Sequence, residues 1–318
     1  MLAETQLPVA RYRFTARMAS DVRMPEYAGS LLRGQFGSAL RRVACMTGQP
    51  SCSGCPLQLT CPYTRIFEAV PPTGHDLQKF SQIPNAYVME PPQLDDTRLQ
   101  EGDQFQFSLV LVGNALDQLA LVIFAMQRAL VQGLTRSRSR AELLAVEWVG
   151  SNSAQATTVW TAEHPVIAQH INLLPLPECP TDLQQITLRF YTPLRLQNQG
   201  SPLRAHQLNP HVLIAALARR GALVLEFHAG QKQFGEVARN VAHLSNNLDG
   251  THQMRWFDWT RYSSRQQQEM TLGGLLGEWT LCGPEESLSE IWPWLWLGQW
   301  LHVGKNATMG MGGYTLVS

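Results

Sequence analysis

Four of the six cysteines fall within one short stretch, as Cys45, Cys52, Cys55 and Cys61 in the spacing C-x6-C-x2-C-x5-C. Gly48, Pro50, Gly54, Pro56 and Pro62 lie between or beside them, so the stretch is a chain of turns. Four thiolates on such a knuckle close a tetrahedron around Zn²⁺ at roughly 2.3 Å per bond. A site filled by four thiolates has no open position, which makes the expected zinc structural rather than catalytic. An iron–sulfur cluster and unliganded cysteines are the alternatives. Cys179 and Cys282 stand alone and read as buried apolar residues. None of the nine histidines forms a His-x-x-His or His-x-x-x-His pair, which argues against a histidine metal centre.

A second chemical feature is the run 304–313, Gly-Lys-Asn-Ala-Thr-Met-Gly-Met-Gly-Gly. Glycines allow a backbone to approach a phosphodiester and aim N–H groups at it, so Gly304, Gly310, Gly312 and Gly313 are candidate phosphodiester-binding positions. The lysine precedes the glycines and no Gly-Lys-Ser/Thr follows, so this is not a nucleotide-binding P-loop. A tight loop packed on the protein is the bland reading. Basic groups form the third feature: Arg33, Arg41 and Arg42 on one expected helix, and Arg219 and Arg220 on another. Arg136, Arg138 and Arg140 read as a solvated turn. The tryptophans at 292, 294, 296 and 300 read as core.

Lys plus Arg equals Asp plus Glu at 25 each, so no global basic excess announces nucleic acid. The balance hides 22 Arg against 3 Lys, and Arg is the better residue for bidentate phosphate recognition. Charge is also segregated. Residues 1–67 hold eight Arg against three acids, and 189–265 hold ten basic residues against four acids. With 44% apolar and 16% charged residues the chain is no disordered tail, and 318 residues suit two domains. The N-terminus lacks the order of a signal peptide and no apolar stretch is clean enough to span a bilayer. A cytoplasmic protein is expected, without a membrane partner.

The elements that must position these groups follow from periodicity. Residues 11–18 alternate strictly, with Tyr12, Phe14, Ala16 and Met18 facing one way and a basic face the other. A helix is expected over 27–44, a strand over 103–112, a helix capped by Asn114 and stopped by Gly133, and a strand over 142–149. Leu173 to Pro180, with three prolines, is the expected linker. The order then repeats: a strand over 185–191, a helix from Asn209-Pro210 to Phe227, strands over 254–262 and 270–281, a Trp-rich helix over 291–301, and a strand over 314–317. Two βαββαβ units predict an α+β fold of tandem ferredoxin-like, RRM-like domains with an inserted zinc knuckle. The expected domains are 1–172, with the knuckle at 45–61, and 182–318, with the glycine-rich loop at 304–313, joined by a linker at 173–181.

Several stretches together resemble the CRISPR-associated endoribonucleases of the RAMP superfamily that cut precursor CRISPR RNA within its repeats. They are Gly29-Ser-Leu-Leu-Arg-Gly-Gln-Phe-Gly37, Thr192-Pro-Leu-Arg-Leu196, Arg261-Tyr-Ser-Ser-Arg-Gln266 with Gly273-Gly-Leu-Leu-Gly277, and His302-Val-Gly-Lys305 followed by Gly310-Met-Gly312. The resemblance implies binding of precursor CRISPR RNA repeats and metal-independent cleavage to 2′,3′-cyclic phosphate and 5′-hydroxyl ends. It departs at one point. Many relatives carry the catalytic histidine on or just after the first helix, and here no histidine precedes His75.

Cleavage of this kind needs a base at the 2′-hydroxyl, positive charge on the phosphorane and an acid at the leaving 5′-oxygen. His302, Tyr262 and Lys305 are the expected catalytic groups, since a histidine's unperturbed pKa of about 6.5 suits proton transfer. Arg261 and Arg265 are expected to bind RNA or steady negative charge. No cofactor is expected to take part in the chemistry. A non-catalytic RAMP subunit that binds guide RNA in a CRISPR effector complex is the main alternative, and a zinc-knuckle protein-interaction module the third.

Overall fold

The computed structural model describes residues 6–71, 83–93, 97–135, 137–151, 155–263 and 268–317, without the side chains of 261–263 and 268–271. Arg136 and Arg265 lie outside the described residues, and for Arg261 and Tyr262 only the backbone is described. The chain divides into two compact units, one of Pro8–Leu174 and one that begins at Pro175, with Phe227–Ala229 counted in the first.

The first unit runs β1 (Val9–Met18), α1 (Gly29–Ala44), α2 (Pro62–Phe67), β2 (Tyr87–Glu90), β3 (Gln104–Val112), α3 (Leu119–Gln132), β4 (Ala141–Val149) and β5 (Ala156–Thr161). Its sheet is antiparallel in the order β2-β3-β1-β4-β5. Without β5 this is the ferredoxin-like order, in which the first and third strands are central. The alternation of β1 decides which face is inward: Tyr12, Phe14 and Ala16 are fully buried. Leu32, Phe36, Ala39 and Leu40 bring one side of α1 onto the core, and Phe36 packs edge-on against Tyr87 at 5.8 Å. Each large side chain so buried contributes about 1.5–3 kcal/mol. Gly37 lies where a Cβ would run into the Phe67 ring, so its lack of a side chain lets α2 close on α1.

Two expectations here need correction. Asn114 does not cap a helix; it lies in a 3-10 turn, Gly113–Gln118, and α3 starts only at Leu119 with no side-chain cap. The edge strand β5 went unread, because its exposed start (Ala156, Thr157, Thr158) carries no apolar alternation. Gly133 does end α3, at φ 106°.

The second unit runs β6 (Gln185–Leu194), α4 (Pro210–Ala229), α5 (Phe234–Leu244), β7 (Asp249–Ser263), β8 (Gln268–Cys282), α6 (Glu285–Leu301) and β9 (Tyr314–Val317). The sheet order β7-β8-β6-β9, all antiparallel, is again ferredoxin-like. Asn209 caps α4 by accepting the His211 N–H at 2.7 Å, Pro210 holds the first helical position and left-handed Gly230 ends it. The helix α5 was not expected. Trp294 and Trp300 of α6 are buried, as core residues. No helix of the described residues is long and apolar enough to cross a membrane.

Candidate nucleic-acid interface

The basic face expected on β1 is neutralised across the sheet. Arg11 makes a two-pronged pair with Glu90 of β2 at 2.8–3.1 Å. Arg13 meets Glu147 and Arg17 meets Glu142, each at 2.9 Å, on β4. A surface of matched pairs gives a polyanion little net attraction. The α1 arginines are also engaged. Arg33 lies over the Phe67 ring at 4.1 Å and donates to the buried Tyr87 hydroxyl at 3.1 Å. Burial pushes that hydroxyl up to about 12. Arg41 donates to the carbonyls of Gln49 and Pro50 at 2.6 and 2.8 Å, holding the cysteine segment. Arg42 folds back on Ser38 and is exposed. Of the three, Arg42 alone sits openly at the surface.

All four clustered cysteines are free thiols that line one small cavity of about 20 Å³. Cys45 is held below the ordinary thiol range by the Gly48 backbone and the Thr47 hydroxyl, and burial pushes Cys52 up. Among the described residues no three histidine, cysteine or acidic side chains stand at chelating separation.

In the second unit the chain returns from α6 into the glycine-rich loop and then into β9, beside β6. His302 ends α6 with φ 56°, in the left-handed region, and is fully buried. Its Nδ1 faces the Gly310 carbonyl at 2.9 Å, which can only accept, so Nδ1 carries the hydrogen. Nε2 is then the lone-pair nitrogen when the ring is neutral, 3.5 Å from the Tyr191 hydroxyl of β6. Thr192 completes the knot: its hydroxyl donates to the Gly310 carbonyl at 2.6 Å and accepts the Gly313 N–H at 2.7 Å.

The glycines serve this packing. Gly312, at φ 71°, lies where a Cβ would strike the Val303 carbonyl, and its N–H donates to Pro193 O at 2.9 Å. Gly304, at φ 88°, lies 2.6 Å by the same measure from Arg195 O. The N–H groups of Lys305, Met309, Gly310, Gly312 and Gly313 all donate within the protein. The expected cradle of N–H groups for phosphate is therefore corrected at Gly310, Gly312 and Gly313, where the donors are spent on the fold. What the loop presents is Lys305, exposed, with its backbone N–H pinned to Arg195 O at 2.8 Å.

His302 is corrected as well. A fully buried imidazole does not touch a substrate; its Nε2 faces the half-buried Tyr191 instead. Arg220 is turned inward, donating from Nε to Leu301 O at 2.8 Å at the end of α6. Burial pulls its guanidinium down to about 10, and it serves as a helix cap rather than as a phosphate contact. Arg219, next to it, is exposed.

The structure adds groups that sequence reasoning did not single out. Arg204 lies over the Trp256 ring at 3.6 Å, and the indole N–H donates to Asp258 at 2.7 Å. Gly273 makes room for that indole, since a Cβ there would meet both Trp256 and Asp258. Arg195 donates to Gly273 O at 2.6 Å, and its guanidinium is lowered by burial and by the neighbouring Arg204, against the pull of Asp258. Arg195, Arg204 and Trp256 thus join Lys305 in a basic, aromatic patch beside the loop. The Thr192–Leu196 and Gly273–Gly277 stretches were visible as motifs; that they meet at Arg195 and Gly273 was not.

Residues 188–314, which hold this whole patch, match the family model described as CRISPR-associated endoribonuclease Cas6. The second part of this chain is thus Cas6-like. Residues 7–172 match a second model, described as AF_1859_N: N-terminal domain. A Cas6 product complex superposes with TM-score 0.58 at 14% identity, over 97% of this chain and 100% of the other. Thermus thermophilus Cas6 gives 0.55 at 15% identity, over 98% and 99%. A partial Cas6-RT-Cas1–Cas2 complex gives 0.54 at 13% identity, over 100% of this chain and 47% of that one. At such identities the likeness is one of fold: the tandem ferredoxin-like architecture of Cas6. No curated protein sequence matches the chain.

Proposed function

We propose that this protein cleaves precursor CRISPR RNA within its repeats, without metal, leaving 2′,3′-cyclic phosphate and 5′-hydroxyl ends. The observation that carries the reading is the patch formed by Arg195, Arg204 on Trp256, and Lys305 on its glycine-locked loop, inside the segment matched to Cas6. The nucleophile is already in the substrate. The 2′-oxygen attacks phosphorus, its proton passes to a base, the bond to the 5′-oxygen breaks and that oxygen takes up a proton. The chain has to orient the phosphodiester and move two protons, which suits side chains alone. Lys305 steadies the charge that grows on the phosphorane and stands ready as a proton donor to the 5′-oxygen. Tyr191, with its hydroxyl 3.5 Å from the lone pair of His302 Nε2, is a candidate to exchange a proton, and Tyr262 is retained as a candidate to position the ribose. Arg204 and Trp256 supply charge and an aromatic ring for the strand. Related Cas6 chains are found in a product complex and in Cas6-RT-Cas1–Cas2 assemblies, which supports repeat RNA as partner and association with a CRISPR complex.

The test is incubation of the purified protein with labelled repeat RNA in EDTA, with analysis of the ends. Cutting at one phosphodiester with a cyclic phosphate supports the reading. Tight binding with no cutting, with or without Mg²⁺, replaces it with a guide-RNA-binding subunit.

A further inference from the structure

We propose that Cys45, Cys52, Cys55 and Cys61 bind one Zn²⁺, which fastens the end of α1 to the start of α2. This goes beyond the reading of RNA cleavage and does not depend on it. All four residues line the same cavity of about 20 Å³, and none is in a disulfide. Space of that size holds about one water-sized sphere, room for a single ion.

The placement of each cysteine is that of a clip. Cys45 is the residue that ends α1 and Cys61 the residue that precedes α2. Cys55 donates its N–H to Cys52 O at 3.2 Å, the tight turn that brings the two residues of a C-x2-C pair to one side. The Thr47 hydroxyl lies 3.9 Å from Cys45 Sγ and 3.5 Å from Cys55 Sγ, so these two thiols face a common point. Cys61 Sγ reaches back to Ala44 O, at 4.0 Å, on the Cys45 side.

The segment is held mainly by polar contacts. Met46 and Leu59 are 81% and 77% exposed, so these two large apolar side chains add nothing to the core, while Leu57 is half-buried. Arg41, bonded to the Gln49 and Pro50 carbonyls, sets a positive charge against the cavity wall. Binding breaks four S–H bonds, forms four Zn–S bonds and releases four protons, with no change of oxidation state. The product carries two negative charges, which Arg41 offsets in part.

The experiment is metal analysis of the whole protein purified under reducing conditions, with thiol counting before and after a strong chelator. About one zinc per chain is expected, with the four thiols shielded until the zinc is removed. Replacing zinc with Co²⁺ should give the intense sulfur-to-cobalt absorption of a tetrahedral thiolate site, an optical signal independent of RNA and of activity. In Cys52→Ser and Cys55→Ser zinc retention should fall steeply. A preparation without zinc that also fails to take up Zn²⁺ or Co²⁺ overturns the proposal. So does a brown protein holding iron and sulfide, or zinc that survives both substitutions. Because the wild-type measurements stand alone, poor folding of a variant does not shelter the idea.

Discussion

Arg204 lays its guanidinium 3.6 Å over the ring of Trp256, seven residues before the strand ends at Ser263, and Gly273 of the partner strand makes the space. A cation resting on an aromatic ring offers an RNA strand both charge and a stacking surface. Trp256→Ala should therefore weaken repeat RNA binding by roughly 5- to 100-fold, at about 1–3 kcal/mol per stacked base. Arg204→Ala should weaken binding and also lower the slope of log affinity against log salt by about one. Titrations at several salt concentrations separate the two. Wild-type affinity that ignores salt would remove phosphate contact from the account altogether.

His302 holds the glycine loop through Nδ1 and meets Tyr191 through Nε2, two jobs that one substitution can divide. In His302→Asn the amide N–H can still reach the Gly310 carbonyl, but the Nε2 lone pair is gone. Single-turnover cleavage should slow by roughly 10²–10⁴-fold while RNA affinity and melting temperature change little. His302→Ala loses the Gly310 bond too and should be destabilised by about 2–4 kcal/mol. Full-rate cleavage by His302→Asn would leave His302 a purely structural residue.

Gly312 and Gly230 share φ 71° but not their surroundings. An alanine at either pays for the left-handed backbone, roughly 1–2 kcal/mol. At Gly230 a Cβ meets nothing within 4 Å, whereas at Gly312 it strikes the Val303 carbonyl. Thermal unfolding should therefore show a modest loss for Gly230→Ala and a much larger one for Gly312→Ala, with RNA binding lost alongside. Equal melting points would refute the packing role of the loop.

Arg220 caps the carbonyl of Leu301 from a half-buried position. Arg220→Met removes a charged hydrogen bond and should cost about 1.5–3 kcal/mol of stability, measured by denaturant unfolding. RNA affinity of the folded protein should stay near wild type, while Arg219→Ala should lower it for many RNAs alike. The reverse pattern would restore Arg220 as a phosphate ligand.

Local rules carried much of the architecture. The alternation of β1, the Asn209-Pro210 start of α4, and the order of strands and helices along the chain were legible because each rests on neighbours in sequence. The Cas6 resemblance, too, lay in short stretches that read in order along the chain. Which charges were available did not. Arg11, Arg13 and Arg17 read as a basic face until strand pairing set Glu90, Glu147 and Glu142 against them from 79, 134 and 125 residues away. The same holds at the site. His302 could be named from its type, but its burial, its tautomer and its contact with Tyr191 depend on β6 and β9 lying side by side. Arg204 and Trp256, 52 positions apart, become one surface only when the hairpin folds. A residue's chemistry is a local property of its side chain, whereas its charge balance, exposure and partners are set by contacts between distant segments, and those exist only in the folded chain.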